Sequence, residues 1–469
     1  MNILLVNLSL RPQSKLHLFP LGLGYIATAM KNAGFKFDLL DIDLYRYSDD
    51  EVEKFIAKKK YDVVCMGCIV TGYKYVKNLC DVIKEAHPQS KIIVGNSVAS
   101  SITDILLKKT RADIAVMGEG DLTIVELLNA IKEKSSIENV QGICFLKDGE
   151  VFATAFRTPM KDLSVLPFVD YEIFDFSEYI KYSNLPLNEP LPIPRENIIN
   201  VPVNTARGCI ANCTFCYHVF KKTPYRPRPI DSVLDEIEHV IAKYKATHIF
   251  FYDELTFHTK KHAQEFAEKI IARGLKFYWE ANCRGNLFND DKDVEIIVKM
   301  KEAGCTLIGY SLESASAEIL KHMNKHMTVE EFTRQTTIVH KAGIAVGTSL
   351  VFGYPEETAE TIQKTIQCCI DNKIYPSAGY LLPQPGSPIF DYAVEHGFIG
   401  DLEEYLLKMG DRQDLRLNMT KMSDKEFEEC IKNELIRCNR ELNVGLDEGT
   451  LIKTQHMRAA KDKKKPGKA

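Results

Sequence analysis

The chain has 469 residues, 45% of them apolar, and a formal net charge of −4. That length suggests two or three domains with large cores, and the small negative charge argues against a nucleic-acid-binding surface. No run approaches the roughly 20 continuous apolar residues of a membrane span, and Met1–Asn7 has neither the basic start nor the cleavage site of a signal peptide.

Residues 1–145 alternate strands and helices. Strands are expected at Ile3–Leu8, Lys36–Ile42, Tyr61–Met66, Lys91–Val94 and Asp113–Met117. Helices are expected at Leu21–Ala33, stopped by Gly34, and at Asp49–Lys59, Val76–Ala86 and Thr123–Lys132. This βαβ spacing predicts a Rossmann-like doubly wound parallel sheet. Such sheets bind ligands at the carboxyl ends of their strands, which here carry Asn7-Leu8-Ser9, Thr71-Gly72, Gly95-Asn96-Ser97 and Gly118-Glu119-Gly120.

Residues 142–155 read as a hairpin turning at Lys147-Asp148-Gly149. Pro159, Pro167, Pro186, Pro190, Pro192 and Pro194 then make residues 146–198 a proline-rich connector wrapped on the surface. From Ile198 the βα rhythm resumes, with strands expected at Asn200–Ala206, His248–Tyr252, Lys276–Ala281, Thr306–Ser311, Ala345–Phe352 and Ser377–Leu382. Six βα units over residues 199–400 predict a partial (β/α)6 barrel, with its chemistry at the carboxyl ends of the strands. Residues 401–455 read as helical and charged. Residues 456–469, with Lys461–Ala469, read as a basic, disordered tail.

The 13 cysteines are an odd number, and without a secretion signal they point to reduced thiols in a cytoplasm. Cys65, Cys68, Cys80, Cys144, Cys368 and Cys369 lie in apolar or helical contexts and read as core. Cys65 and Cys68 form a CxxC pair on a strand end, whereas a redox CxxC opens a helix.

Cys209, Cys213 and Cys216 form a C-x3-C-x2-C run after a strand. Three thiolates on a short loop can hold three corners of an iron–sulfur cube. The fourth iron is left free to chelate the amino and carboxylate groups of S-adenosylmethionine (SAM). Structural zinc is the alternative, with His218 as the fourth ligand.

This run, with Phe215 before the third cysteine, resembles the radical SAM superfamily signature. The resemblance extends to further segments and covers roughly residues 1–400. Phe251-Tyr252-Asp253-Glu254 resembles the segment that binds the SAM amino group; Asp253 and Glu254 would accept from the ammonium, or else form a helix-capping pair. Ile308-Gly309-Tyr310-Ser311-Leu312-Glu313 resembles the fourth-strand motif, which implies that Glu313 contacts SAM. Arg284 would pair with the SAM carboxylate or with Glu313, or would serve a structural ion pair. Gly353-Tyr354-Pro355-Glu356-Glu357-Thr358 and Pro383-Gln384-Pro385-Gly386-Ser387-Pro388 also match the family and read as turn chemistry. Arg226 and Arg228 match a basic stretch whose role stays open.

Pro20-Leu21-Gly22-Leu23-Gly24-Tyr25 and Val116-Met117-Gly118-Glu119-Gly120 resemble the cobalamin-binding domain of one radical SAM branch. The resemblance implies cobalamin contacts at Thr71, Gly95, Asn96, Ser97, Gly118 and Glu119. A D-x-H-x-x-G motif is absent; His17 lies in that loop without the aspartate or the glycine. Asn96 stands where the branch often has glycine, and its side chain is expected to narrow the approach of a corrin. A vestigial domain that only packs on the barrel is the alternative.

The resemblance as a whole implies an enzyme that cleaves SAM with a [4Fe–4S] cluster to a 5′-deoxyadenosyl radical. Methyl transfer from cobalamin to an unactivated carbon is the leading expectation. A cobalamin-independent oxidoreductase, cyclase or rearrangement enzyme is the alternative, and a non-catalytic metal protein is a third. The expected partners are a small-molecule substrate and an electron donor such as flavodoxin or ferredoxin.

Overall fold

The computed structural model describes residues 1–184, 187, 191–221, 223–449 and 451–452. Pro186, Pro190 and the basic tail from 456 lie outside the described residues.

The amino-terminal sheet has seven strands: β1 (Ile3–Asn7), β2 (Phe37–Asp41), β3 (Val63–Gly67), β4 (Lys91–Gly95), β5 (Ile114–Val116), β6 (Ile143–Lys147) and β7 (Glu150–Ala153). Their order is β2-β1-β3-β4-β5-β6-β7. All pairings through β5 are parallel. Strand β1 is buried along its whole length, which is the mark of a strand covered on both faces. Leu4 and Val6 pack into one core, on the side of helix Tyr73–Ala86, while Ile3 and Leu5 enter the core shared with the barrel.

Two expectations about the next segment are corrected. The hairpin does form, but β6 and β7 add to β5 in antiparallel fashion, so the sheet runs past residue 145 and ends in an antiparallel edge. The connector is not a surface wrap. Leu163, Val169, Tyr171, Phe174, Phe176 and Tyr179 are buried. The Phe19 ring meets those of Tyr171, Phe174, Phe176 and Tyr179 at centroid distances of 5.0–5.4 Å. Proline restricts the helix here to five residues, Phe176–Ile180, but the aromatic side chains between the prolines carry enough apolar area to plug the seam between domains.

The second domain contains β8 (Asn200–Val203), β9 (Ala206–Arg207), β10 (Arg226–Pro227), β11 (His248–Phe251), β12 (Tyr278–Asn282), β13 (Cys305–Gly309), β14 (Ala345–Gly347), β15 (Ser349–Phe352) and β16 (Ser377–Tyr380). One sheet runs β14-β13-β12-β11-β8 and a second pairs β15 with β16; all these pairings are parallel. The strand expected over 345–352 is interrupted at Thr348, whose Oγ1 accepts from Leu312 N at 3.0 Å. Across that break it changes partners, from β13 to β16. The result is a partial barrel, in which Trp279 of β12 is fully buried against Phe266 of the helix Lys260–Ala272.

Helices Leu402–Lys408 and Asp424–Glu441 follow. Residues 409–416 between them act as a strap along the barrel's last strand, with Tyr380 N donating to Arg412 O at 2.8 Å. The strap is tied to the first domain by Arg11–Asp411 at 2.5 Å, and the helix before it by Lys77–Glu403.

Candidate active site

The cysteine loop is an excursion between β9 and β10, which pair antiparallel and pin its two ends. Gly208 opens the loop at φ +89°, where a Cβ would lie 3.4 Å from Pro224 O. Thr214 N donates to Met323 O at 3.0 Å. The Thr214 hydroxyl lies 2.9 Å from His322 O and 2.8 Å from Tyr354 Oη. Gly386, at φ +88°, leaves room for Tyr217, whose ring would stand 2.6 Å from a Cβ there.

Cys213 is buried, and Cys209 and Cys216 are half-buried. Burial raises the Cys209 thiol and pushes Cys216 up to about 12, with the neighbouring cysteines adding to both. The thiols therefore lie close enough to repel one another as anions, and cations stand beside them. Arg284 Nη1 is 4.0 Å from Cys213 Sγ, and Lys221 Nζ donates to Cys216 O at 2.5 Å. This donor set fits an iron–sulfur cube, whose separate irons take one thiolate each and supply the charge that deprotonates them. Structural zinc wants four ligands on one ion. Among the described residues, no three His, Cys, Asp or Glu side chains converge to hold one ion. Burial and Lys221 hold His218 down at about 4, and its Nδ1 is buried without a partner.

The acidic residues divide. Asp253 takes Asn204 Nδ2 at 2.7 Å, Thr205 N at 2.8 Å, Ala206 N at 3.1 Å and Thr205 Oγ1 at 2.5 Å. Its oxygens hold the turn leading into the cysteine loop, which corrects the expectation of an open ammonium acceptor. Glu254 is exposed, and its Oε2 accepts from Gly208 N at 3.3 Å, at the start of the loop. Glu313 is 5% exposed and held at φ +65°. Its Oε1 accepts from Lys325 Nζ at 3.1 Å, while its Oε2 is buried with no partner. A buried carboxylate oxygen left bare is costly, so this atom marks where a donor of a bound ligand fits.

Arg284 does not pair with Glu313. Its Nη2 donates to the carbonyls of Lys325 and, at 3.4 Å, His326. It clamps the loop in which Asn324 and His326 have positive φ, and that loop delivers Lys325 to Glu313. Sequence reasoning missed Lys325, because no motif surrounds it. Arg226 and Arg228 prove structural. Arg226 bonds Glu119 and, at 2.7 Å, Met160 O, while Arg228 pairs with Glu236 at 2.5 Å.

A cavity of about 1070 Å³ opens between the two sheets, at the upper end of ligand pockets. It meets the carboxyl ends of β1, β3, β4 and β5 on one side. On the other it meets Arg207, Phe220 and Tyr252, which flank the cysteine loop and Asp253, and the strap. Thr71, Gly95, Asn96, Gly118 and Glu119 line it; Ser97 does not. Ser97 Oγ instead accepts from Val70 N at 2.8 Å, holding the loop that presents Thr71. Asn96 departs from the expected obstruction: its Oδ1 folds back to accept from Ser97 N at 2.6 Å. A Cβ at Gly95 would have nothing nearer than Met66 O at 4.0 Å, so the β4 end stands open. Among the described residues, no histidine lines the cavity; the His17 ring lies 4.1 Å from that of Tyr182, tilted by 31°.

Glu119 is bound to another task. Arg207 donates to Glu119 at 3.1 Å and bidentately to Asp121 at 2.8 and 3.0 Å, and Arg226 takes the other Glu119 oxygen. This latch joins the first domain to the residue two positions before Cys209.

Residues 203–369 match the radical SAM superfamily model, and residues 12–128 match the B12 binding domain model. The chain carries a radical SAM domain preceded by a B12-binding domain. Among its relatives is an uncharacterized methyltransferase of Pyrococcus horikoshii, 24% identical over 81% of this chain and 79% of its own length. The anaerobic magnesium-protoporphyrin IX monomethyl ester cyclase of Rubrivivax gelatinosus is 28% identical over 82% and 68%. Of solved structures, the radical SAM methyltransferase TsrM from Kitasatospora setae superposes with a TM-score of 0.65 at 18% identity, over 85% of this chain and 77% of that one. The cobalamin-dependent SAM radical enzyme OxsB gives a TM-score of 0.67 at 17% identity, over 88% and 57%. These likenesses establish the radical SAM fold with a cobalamin-type domain in front. Among the described residues, no helix is long and apolar enough to cross a membrane.

Proposed function

We propose that this radical SAM enzyme is a cobalamin-dependent methyltransferase acting on an unactivated carbon of a small molecule. The observation that carries the reading is the single cavity shared by the carboxyl ends of the first sheet and the flanks of the cysteine loop. A methyl carrier on one wall then faces the radical source on the other.

Cys209, Cys213 and Cys216 hold the cluster, with Arg284 as the cation beside Cys213. Glu254 accepts from the SAM amino group, and the free Oε2 of Glu313 accepts a second donor of SAM. Lys325 holds Glu313 in place through its Oε1. Asp253 fixes the turn that fixes the loop. Gly95, Gly118, Thr71 and Asn96 provide the open edge for a corrin, with the Asn96 side chain folded out of its way. Bound there, the cluster supplies the electron that cleaves SAM to the 5′-deoxyadenosyl radical, and cobalamin supplies the methyl group. Met409, Gly410, Asp411, Arg412 and Gln413 of the strap form part of the wall of that cavity.

The test is cobalamin content in anaerobically purified, cluster-loaded protein from cells supplied with cobalamin. Incubation of that protein with methyl-deuterated SAM and cell metabolites follows. About one cobalamin per chain, S-adenosylhomocysteine and 5′-deoxyadenosine together, and a product carrying the deuterated methyl would support the reading. Cleavage of SAM to 5′-deoxyadenosine without bound cobalamin would refute it. That result would favour the second reading, a cobalamin-independent oxidoreductase, cyclase or rearrangement enzyme.

A further inference from the structure

The charges around the cavity do not balance. Each carboxylate lining it already has a cation: Asp43 pairs with Arg46, Glu119 and Asp121 with Arg207, and Asp411 with Arg11. Of the lining cations, Lys74 and Arg412 have no carboxylate partner among the described residues. Arg412 reaches only two backbone carbonyls, Tyr380 O and Leu350 O, both at 3.3 Å.

The fold makes room for Arg412. A Cβ at Gly379, on β16, would lie 3.3 Å from both Cβ and O of Arg412 and 3.5 Å from its Nε. Glycine there lets the arginine cross the last barrel strand to reach the cavity wall. Beside it, Gln413 is 5% exposed, lines the same cavity, and has a buried Oε1 with no donor. A guanidinium without a counter-charge on the cavity wall, with the Gln413 amide on the same wall, offers a ligand oxyanion its partner. Neither residue belongs to the cysteine loop or to the open edge of the first sheet.

We propose that Arg412, with Gln413, recognises an anionic group, carboxylate or phosphate, on the substrate that enters this cavity. The inference rests on the reading of the cavity as the reaction chamber, but equilibrium binding tests it without turnover. Its failure and the failure of that reading are therefore separate results.

The experiment uses the full chain loaded with cluster and hydroxocobalamin, and measures binding of benzoate, inorganic phosphate and neutral benzyl alcohol by calorimetry. The wild type should bind at least one anion about tenfold or more tightly than the alcohol. Arg412→Gln should erase that preference while leaving the alcohol unchanged, and Arg412→Lys should restore part of it. A second arm compares cobalamin with cobinamide, which lacks the nucleotide phosphate, on cofactor-free protein. Equal loss of neither or both on Arg412→Gln leaves the anion to the substrate. Three results would overturn the proposal: no anion preference in the wild type, including no binding at all; a preference that survives Arg412→Gln; or selective loss of cobalamin over cobinamide, which would assign Arg412 to the cofactor's phosphate.

Discussion

Replacing Arg207 with methionine tests the latch between the domains. The side chains of Arg207, Asp121 and Glu119 are only 7%, 8% and 7% exposed, so water cannot take over a lost partner. Both Asp121 oxygens are engaged by Arg207, at 2.8 and 3.0 Å, whereas Glu119 keeps Arg226. Arg207→Met therefore strands one buried carboxylate, and the expected loss is about 3–5 kcal/mol. Adding Asp121→Leu removes the stranded charge, so the double variant should be more stable than Arg207→Met alone, with a coupling energy of about 2 kcal/mol or more. Urea unfolding followed by fluorescence is the assay. The single tryptophan, Trp279, is fully buried in the barrel and reports that domain, while far-UV dichroism reports the whole chain. Because the latch spans both domains, both signals should shift. A loss below about 1 kcal/mol, or a double variant that loses the sum of the two single losses, would refute the reasoning.

Cys213→Ala should abolish 5′-deoxyadenosine formation and lower iron content while leaving the unfolding midpoint close to that of the wild type; retained product would remove Cys213 from the cluster. Glu313→Gln should weaken SAM binding by about tenfold at unchanged iron content, as read by equilibrium dialysis; unchanged affinity would free Glu313 from its role. Burial raises the Glu357 carboxyl from its ordinary 4.5 to about 7. The folded state therefore holds that proton more tightly than the unfolded chain, and the stability it confers is complete below about 4.5 and is lost as pH rises through about 7. Glu357→Gln should flatten this fall in urea midpoints between pH 5 and 8; an unchanged slope would show that Glu357 does not cause it.

Elements with strong local signals were legible in the sequence: the alternating strands and helices of the first domain, Gly34 ending its helix, and the Lys147-Asp148-Gly149 turn. The cysteine loop was legible too, because ligand spacing is a local property. What failed depended on distant partners. Asp253 and Glu254 are adjacent acids at a strand end, yet one turns inward to the 204–206 turn and the other faces the loop. Glu119 read as a cofactor contact because its arginines lie 88 and 107 residues away. Nothing near Lys325 announces that a clamp from Arg284 will swing it onto Glu313. The strap was read only as charged and helical, since its register is set against β16 rather than by its own pattern.

That strap has a consequence for solubility. A barrel that does not close must end in an edge, and the edge of β16 offers unpaired backbone donors and acceptors to any extended chain that meets it. Here the chain supplies its own cover, through Tyr380 N and Arg412 O. A product ending before residue 409 would keep every cluster and SAM residue described above, yet would expose a ready template for intermolecular pairing. It would also lose Arg412 and Gln413, and with that edge uncovered it would self-associate increasingly with concentration.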